Sequence, residues 1–431
     1  MKELAIIADD LSSATDCGVQ LAQKGFKTSV LVNIPEAINV RNENVIAVDT
    51  NSRSLKGDEA YHLVLKVAQM LKEAGFDHIY KTIDSTLRGN LGAEIDGVMD
   101  VFRFDIAVIA PAFPLYGRTT IKGKHYLHGI PLNQTEIASD PNYPVKEENL
   151  ALLLSMQSRR KSGLVDLETL NQGKDFVTKR LQYLIRTGAE FAIFDAQSEI
   201  DLAKIIEILI NIKFPVLWVG STGLSRYLDK AIKDDIRDST RVKVHKKGPV
   251  FIVSGSASEV TRNQIATLTS QQKVIPIEIN PLKIVAGEKI MQNEITRCQN
   301  KLVDTLISDK NVVLYVNSSR QDINKVKSLG IKNGLTGHDV SHLITYCLGR
   351  IAAKVVETCE LGGIILTGGD TAKSVCTQLG VTAIELIKEI EPGVPLGLLR
   401  ELKDLPIITK AGAFGDPNTL LNAVNALRRE D

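Results

Sequence analysis

The most chemically varied stretch of the chain is the segment 81–90. It combines cations, a carboxylate and hydroxyl or amide groups, namely Lys81, Asp84, Ser85, Thr86, Arg88 and Asn90. Residues 78–82 predict the end of a buried strand, and a helix is expected to begin near Ala93. Ligands usually bind at the carboxyl ends of strands in open α/β sheets, because helix N-termini converge there. The segment therefore predicts a site for an anionic ligand, with Asp84 holding or deprotonating a hydroxyl. An ion-paired loop with a helix cap is the alternative.

Two other polar loops follow predicted strands in the first half. Asp9 and Asp10 come directly after the apolar run 4–8, which is typical of a parallel strand covered on both faces. Adjacent carboxylates repel each other unless an Arg, a cation or a ligand hydroxyl compensates them. We expect one of the two to cap the next helix, although other polar residues could do so, and the other to bind substrate. The segment 49–54, which contains Arg53, follows the next strand.

The segment 115–144 shows no clear periodicity, and we expect a functional loop or a lid. Residues 117–124 resemble a P-loop, but the spacing is one residue too long and His125 stands where Ser or Thr should bind magnesium. His125 and His128 lack a Cys or a suitably spaced carboxylate that would complete a metal site. We therefore expect them to contact an anion or to lie on the surface, and we predict no metal site built from side chains.

Small-residue turns follow three predicted strands of the second half, at residues 254–258, 367–372 and 410–415. Glycine lets backbone amides approach oxygen atoms, and a helix N-terminus favours negative charge. Together the turns favour a nucleotide. A GxGxxG motif does not follow the first strand of either half, which disfavours a dinucleotide cofactor.

The length of 431 residues predicts two or three domains. The charged stretch from residue 229 onward is typical of a linker. We predict an N-terminal domain at 1–232, a linker at 233–248 and a C-terminal domain at 249–431. Each domain is expected to be α/β, with a mainly parallel sheet flanked by helices.

Charge and cysteine content limit the classes of function. A net charge of +1 provides no field that would capture nucleic acid. No apolar run approaches the ~20 residues of a membrane span. The five cysteines form no CxxC pair, which indicates a reducing compartment. We predict a cytoplasmic protein that binds neither nucleic acid nor membrane.

Several segments of the sequence together resemble those of the four-carbon acid sugar kinases. The matching segments are 7–11, 49–53, 81–90, 111–114, 117–120, 129–132, 135–136, 254–258, 367–371, 392–395 and 410–415. The resemblance implies an N-terminal domain that binds the sugar acid, a C-terminal domain that binds ATP, and an active site in the cleft between them. It implies phosphorylation of the 4-hydroxyl of D-threonate, with D-erythronate and 3-oxo-tetronate as alternatives.

The predicted site residues come from the loops above and from the resemblance, which covers Asp10, Arg53, the 81–84 segment and the nucleotide positions. The predicted substrate-binding residues are Asp9, Asp10, Arg53, Lys81, Thr82, Ile83, Asp84, Arg88 and Arg118. The predicted ATP-binding residues are Ser256, Ser258, Gly368, Gly369, Asp370, Thr371 and Gly412. We expect Arg53 and Lys81 to bind the C1 carboxylate, and either Asp10 or Asp84 to act as the catalytic base. Mg²⁺ should bridge the ATP phosphates, with Asp370 as an indirect ligand.

The expected partners are a small sugar acid and ATP, and a homodimer is an open prediction. Two other classes of function compete with the kinase. A sugar-acid dehydrogenase or isomerase would need the dinucleotide fingerprint that is missing. A sensor that binds ATP and sugar acid without turnover would be expected to have lost Asp10 and Asp84, and both residues are present.

Overall fold

The computed structural model describes residues 4–38, 43–140, 143–232, 244, 246–270, 274–317 and 320–428. It divides into two compact units, Met1–Ser239 and Thr240–Asp431. Most of the predicted linker 233–248 lies outside the described residues, so the predicted domain boundaries stay a prediction.

In the first unit, strands alternate with helices. The strands are β1 (Leu4–Ala8), β2 (Thr28–Leu31), β3 (Val45–Asp49), β4 (Ile79–Thr82), β5 (Ile106–Ala110), β6 (Arg118–Ile121), β7 (Lys124–Leu127), β8 (Ile130–Pro131), β9 (Lys161–Val165), β10 (Ala189–Phe194) and β11 (Val216–Gly220). The helices are α1 (Leu11–Ala22), α2 (Gly57–Glu73), α3 (Leu91–Met99), α4 (Leu150–Gln157), α5 (Leu167–Asn171), α6 (Lys174–Arg186), α7 (Glu199–Leu209) and α8 (Thr222–Ser225).

The main sheet of this unit is parallel and runs in the order β2-β3-β1-β4-β11-β5-β10-β9. Every residue of β1 is buried, as expected for a continuous apolar run covered by helices on both faces. From β1 the chain first builds the sheet toward β3 and β2, and then builds it toward β4 and beyond. The carboxyl ends of β1 and β4 therefore flank the point where strand order reverses, which is where ligands bind in such sheets. The predicted α/β class is confirmed.

The segment 115–144, predicted as a loop or a lid, instead contains the small antiparallel sheet β6-β7-β8. Its strands are too short to show alternation in the sequence. Both connections are two-residue turns with positive φ at each residue, Lys122 (51°) with Gly123 (72°) and His128 (50°) with Gly129 (79°). Such turns match the twist of a hairpin, and the two X-Gly pairs are the sequence feature that could have indicated them.

The apolar spacing of residues 167–184 predicts a single helix, which is divided in the structure. Helix α5 ends at Asn171 and α6 begins at Lys174. Gly173 between them has a φ of 91°, which a helix cannot contain, and it serves as the N-cap of α6. The apolar spacing is similar in both pieces, so the periodicity alone did not reveal the break.

The second unit repeats the α/β pattern. Its strands are β12 (Val250–Ser254), β13 (Val274–Ile279), β14 (Asn311–Val316), β15 (Gly363–Thr367), β16 (Ala383–Glu391), β17 (Val394–Leu399) and β18 (Leu405–Lys410). Its helices are α9 (Glu259–Ser270), α10 (Pro281–Ile284), α11 (Glu288–Ile307), α12 (Arg320–Lys332), α13 (Gly337–Thr358), α14 (Gly369–Gln378) and α15 (Thr419–Arg428).

The sheet of the second unit runs in the order β13-β14-β12-β15-β18-β17-β16. It is parallel from β13 to β18, and β17 and β16 continue it as an antiparallel hairpin. Strand order reverses between β12 and β15, so the turns after these two strands lie side by side. The turn after β18 is next to them, because β18 pairs with β15.

Candidate active site

Arg53 is at the centre of the charged cluster at the carboxyl ends of β1, β3 and β4. Its Nε lies 2.7 Å from Oδ2 of Asp9 and its Nη2 lies 3.0 Å from Oδ1 of the same residue. Its Nη1 lies 2.6 Å from Oδ2 of Asp10, and its Nη2 is 3.9 Å from Oδ1 of Asp84. The structure thus brings together four residues that the sequence predicted from three separate loops. One guanidinium compensates the mutual repulsion of the neighbouring carboxylates.

Asp84 is held as an anion by the second arginine of the cluster. Arg88 donates from Nε to Oδ2 at 2.7 Å and from Nη2 to Oδ1 at 3.0 Å, and the Thr86 hydroxyl also donates to Oδ2. Burial alone would raise the pKa of Asp84, but Arg88 and Arg53 hold that pKa far below its usual range. A carboxylate with so low a pKa is a weak base, because the two arginines stabilise its charged form.

Asp10 has the opposite electrostatic environment. Burial raises the pKa of Asp10 above its usual value, and the adjacent Asp9 adds to that effect while Arg53 opposes it. Asp10 is also the N-cap of α1, since its Oδ1 accepts a hydrogen bond from the Ser13 amide at 2.7 Å. The expectation that one aspartate caps the helix therefore applies to Asp10. Its other oxygen faces Arg53, and 14% of its side chain is exposed.

Lys81 lies beneath the cluster rather than at its surface. Its side chain is fully buried, and Nζ lies 2.7 Å from Oε2 of Glu94 and donates to the Thr82 carbonyl at 2.7 Å. The Ser52 hydroxyl donates to Oε1 of Glu94 at 2.8 Å. This ion pair joins α3 to the ends of β3 and β4, and so fixes the loops that carry Arg53 and Asp84.

Thr82 and Ile83 are buried beside Lys81. The Ile83 amide donates to the Gly220 carbonyl at 2.9 Å. These two residues therefore contribute to the site through the path of the backbone, which leads from β4 into the Asp84 turn.

Arg118 is the first residue of β6, and the small antiparallel sheet places it near Asp84 and Arg88. Burial lowers the pKa of Arg118 to about 10; Asp84 opposes this shift, and Arg88 adds to it. The guanidinium carbon lies 5.4 Å from the centre of the Tyr116 ring. Three arginines that the sequence predicted, Arg53, Arg88 and Arg118, are thus within electrostatic reach of Asp84.

His125 is buried in β7, and neither an anion-contacting nor a surface role fits it. One ring nitrogen, Nε2, lies 2.9 Å from the Ser85 carbonyl, and Nδ1 lies 3.0 Å from the Thr120 hydroxyl. Because a carbonyl only accepts, Nε2 carries the proton. Burial lowers the pKa of His125 to about 4, so the imidazole is neutral at physiological pH and supports the turn that contains Asp84.

This histidine predicts a pH dependence of stability. Between its unfolded pKa of 6.5 and its folded pKa of about 4, the unfolded chain binds a proton that the folded chain does not. Stability should therefore fall as pH decreases through this window, by up to about 3 kcal/mol. His125→Gln, which can still donate to the Ser85 carbonyl, should reduce that slope in urea unfolding between pH 7 and pH 5. An unchanged slope would contradict the assignment.

The three predicted nucleotide turns are in contact within the second unit. A Cβ atom built on Gly412 would lie 2.2 Å from the Ser256 hydroxyl, and one on Gly368 would lie 3.7 Å from Cα of Ser256. Gly368 has a φ of 99° and is the N-cap of α14, where it has no side chain to occupy the first-turn amides. The three turns and the N-terminus of α14 together form one surface, which suits phosphate groups because a helix N-terminus favours negative charge.

Gly369, Asp370 and Thr371 form the first turn of α14. The Thr371 hydroxyl would lie 3.4 Å from a Cβ atom on Gly368, so it borders the same surface. In the parts of the chain that the structure describes, no group of three or more His, Cys, Asp or Glu residues could hold a metal ion. Asp370 remains the acidic residue of this surface that could contact a phosphate-bound cation.

Comparison with known proteins supplies the family. Residues 4–228 match a family model described as a sugar-binding N-terminal domain, and residues 251–420 match a nucleotide-binding C-terminal domain. The chain is 31% identical to the D-threonate kinase of Salmonella typhimurium over 425 residues, covering 98% of this chain and 97% of that protein. The chain belongs to the four-carbon acid sugar kinase family.

Other relatives in this kinase family differ in their named substrate. A D-erythronate kinase of Heliobacterium modesticaldum is 30% identical, covering 99% of this chain and 97% of that protein. A 3-oxo-tetronate kinase of Pseudomonas savastanoi is 28% identical, covering 98% and 97%. A solved structure from Salmonella typhimurium LT2 has the same fold, with a TM-score of 0.80 and 24% identity, covering 98% of this chain and 99% of that one.

No helix among the described residues of this kinase is both long enough and apolar enough to cross a membrane.

Several residues that hold the kinase site together were not predicted from the sequence. Ser13 accepts a hydrogen bond from Arg53 at 3.1 Å, and Glu94 pairs with Lys81. Glu94 is 1% exposed and lies among apolar residues at the start of α3. A single carboxylate in an otherwise apolar helix start, directly after a polar turn, was the feature that could have revealed it.

Replacement of Gly412 tests the nucleotide surface of this kinase. In Gly412→Ala the new methyl group would force the Ser256 side chain to move, because its hydroxyl lies 2.2 Å away and its Cβ 3.2 Å away. We expect the KM for ATP to rise about tenfold, equivalent to 1.4 kcal/mol of lost binding. Gly57→Ala is the control, since nothing lies within 4 Å of a Cβ atom there. Equal ATP kinetics in both variants would exclude a close approach of ligand at Gly412.

Proposed function

We propose that the chain transfers the γ-phosphoryl group of ATP to the 4-hydroxyl of a four-carbon sugar acid, with D-threonate as the substrate. The observation that carries this proposal is the pairing of a basic carboxylate, Asp10, with a cluster of arginines at the strand-order reversal of a sugar-binding domain. D-threonate is favoured because a relative that is 31% identical over nearly the whole chain is named for it. D-erythronate and 3-oxo-tetronate are the alternatives.

Arg88, rather than Arg53, is the stronger candidate for binding the C1 carboxylate. The Nε, Nη1 and Nη2 atoms of Arg53 all contact protein oxygens, on Asp9, Asp10 and Ser13. Arg88 uses Nε and Nη2 on Asp84, whereas its Nη1 lies 3.7 Å from the nearest oxygen of Asp140 and 26% of its side chain is exposed. A guanidinium binds a carboxylate through two of its nitrogens, and the Arg88 side chain is the more exposed of the two, 26% against 10% for Arg53, so it suits this role.

In this proposal Asp10 is the catalytic base. It accepts the proton of the 4-hydroxyl as the oxygen attacks the γ-phosphorus, and ADP leaves with the electrons of the broken bond. Arg53 keeps Asp10 oriented, and the anionic Asp84 holds Arg88 against the sugar acid. Because the transition state of phosphoryl transfer is loose, most of the catalysis comes from position and charge neutralisation.

The second unit is proposed to bind ATP at the turns of Ser256, Ser258, Gly368 and Gly412. The support for phosphate binding here is the close contact between these turns, since a Cβ atom on Gly412 would lie 2.2 Å from the Ser256 hydroxyl. When bound, Mg²⁺ supplies charge neutralisation on the phosphates. Asp370, in the first turn of α14, is the residue that would contact it indirectly.

A coupled ADP-release assay tests the proposed function. We expect turnover with D-threonate and slower turnover with D-erythronate, L-threonate and 3-oxo-tetronates. A preference for one of the latter would correct the substrate and leave the kinase assignment in place. ATP should raise the melting temperature and NAD should not. Stabilisation by ATP and sugar acid without any ADP release would favour the sensor instead.

Three further proposals accompany the function. The domain boundaries are proposed at 1–232, 233–248 and 249–431. A cytoplasmic location and a homodimer are also proposed. Limited proteolysis tests the linker, since cleavage should be confined to residues 233–248. Sedimentation tests the oligomeric state.

A further inference from the structure

The Lys410 side chain is buried at the end of β18 and bends back onto the turn that follows its own strand. The residue is 1% exposed. Its Nζ donates to the carbonyl oxygens of Ala411 at 2.8 Å and Phe414 at 3.1 Å. The Gly412 carbonyl and the Thr261 hydroxyl each lie 3.4 Å from it. An ammonium has three N–H donors and no acceptor, so an enclosure of oxygen atoms satisfies it completely.

Helix α9 supplies further donors to the same turn. The Thr261 hydroxyl donates to the Gly412 carbonyl at 2.8 Å. The Gln264 amide donates to the carbonyls of Phe414 at 3.0 Å and Asp416 at 2.9 Å. Lys410 and α9 thus bind the carbonyl oxygens of the turn on one side.

This arrangement fixes the direction of the backbone amides. In a trans peptide the N–H group points opposite to the carbonyl of the preceding residue. Since the carbonyls of residues 411, 412 and 414 point toward Lys410, the amides of residues 412, 413 and 415 point away from it. The amides of residues 412 and 413 are successive and lie on the same side of the turn, an arrangement that suits an anion. The Phe414 amide points the other way and donates to the Ala411 carbonyl at 3.1 Å. Gly412, within this turn, is also the residue that contacts Ser256.

We propose that Lys410 is a positioning residue for nucleotide binding, because its ammonium holds the 411–415 turn in the shape that directs these amides toward phosphate. The inference rests on the proposed function, since it takes ATP as the phosphoryl donor. A neutral side chain of similar length would remove one donor from each of these carbonyls. The remaining donors, such as Thr261 and Gln264, would then hold the peptide groups less firmly. The backbone of Lys410 also joins two of the nucleotide turns, since its carbonyl accepts a hydrogen bond from the Gly368 amide at 2.9 Å.

Steady-state kinetics of Lys410→Met test this inference. We expect the KM for ATP to rise at least about tenfold while the KM for the sugar acid stays within about twofold of the parent value. Lys354→Met is the matched control, because that lysine is exposed on α13 in the same unit. A variant with the parent's KM for ATP, or with both KM values raised equally, would overturn the positioning role.

Chemical rescue provides a second readout that a purely structural role would not move. Lys410→Ala lacks the atoms of a propylammonium ion, so added propylammonium should restore the low KM for ATP. Propanol and tetramethylammonium, which lack three N–H donors, should not. Rescue by all three compounds, or by none of them, would contradict the role of the ammonium.

Thr261→Val keeps the test decisive if the Lys410 variants do not fold. It removes one donor to the Gly412 carbonyl and leaves Lys410 in place, so we expect a smaller rise in the KM for ATP. No rise would overturn the inference.

Failure of the proposed function gives a different result. In that case the parent protein itself would show no saturation by ATP, whereas failure of the inference alone leaves the parent's ATP kinetics intact.

Discussion

Asp10→Asn is expected to lower kcat for the sugar acid by about 10²–10⁴-fold, the usual contribution of a general base. The substitution isolates the role of the charge, because Asn and Asp are equally good N-caps. The Ser13 amide therefore keeps its hydrogen-bond partner, and the N-terminus of α1 stays capped. What is lost is the carboxylate whose pKa burial raises. The KM for ATP should remain close to the parent value, since the nucleotide turns belong to the other unit.

Asp84→Asn is the informative comparison, because the sequence left both aspartates open as the base. Asp84 is engaged by Arg88, Arg53 and Thr86, and these groups hold its pKa far below the usual range. Its replacement should mainly raise the KM for the sugar acid, because Arg88 loses the partner that orients it. We expect a smaller loss of kcat than in Asp10→Asn.

Measurement of kcat and KM for both variants, with the exposed Asp77→Asn as control, separates these roles. A near-normal kcat in Asp10→Asn together with a large loss in Asp84→Asn would transfer the catalytic role to Asp84. Near-normal values in both variants would remove the general base from the mechanism. The pH profile adds a further check, since the acidic limb of kcat should disappear only when the base is replaced.

The sequence predicted the central sheets well because their strands are continuous apolar runs. Strands such as β1 and β12 are buried along their whole length, and their apolar residues predict this burial directly. The sequence did not predict the short strands β6–β8 or the hairpin of β16 and β17. The strands β6–β8 are too short to show a pattern of their own, and they are joined by two-residue turns with positive φ. The hairpin of β16 and β17 also turns at a glycine with positive φ, Gly393 (73°).

For the site, the sequence predicted which loops meet but not which atoms pair. Parallel strands place their carboxyl ends at one edge, so the sequence alone is enough to group Asp9, Arg53 and Asp84. The partner of Lys81 could not be predicted, because it depends on the orientation of α3, which brings Glu94 within 2.7 Å. Without knowledge of this partner, the sequence led to the expectation that Lys81 binds substrate. In the structure its ammonium is buried and pairs with Glu94. Tertiary packing, rather than residue type, decides such pairings.

Arg53→Met is expected to cause the largest loss of stability among substitutions in the cluster, about 3–5 kcal/mol near neutral pH. The Arg53 side chain is 10% exposed, and its guanidinium compensates Asp9, Asp10 and Asp84 together. Burial alone would lower the pKa of Arg53, but these aspartates raise it well above its usual value. Arg53→Lys should rescue only part of the loss, because an ammonium cannot reproduce the two-point contact with Asp9.

The pH dependence of this loss distinguishes an electrostatic cause from a simple packing defect. In the parent, the pKa of Asp84 lies below the unfolded value of 3.8, so its contribution to stability is complete above that value and is lost as pH falls. In Arg53→Met the carboxylate of Asp10 loses its arginine partner, so burial should raise its pKa further, and protonation should then relieve the variant as pH falls. Urea unfolding of parent and variant should therefore give a free-energy difference that shrinks between pH 8 and pH 5. Arg103→Met, an exposed arginine in the same unit, should show almost no difference at either pH. A difference for Arg53→Met that is constant with pH would mean that the arginine acts by packing and that the three aspartates are neutralised by other groups.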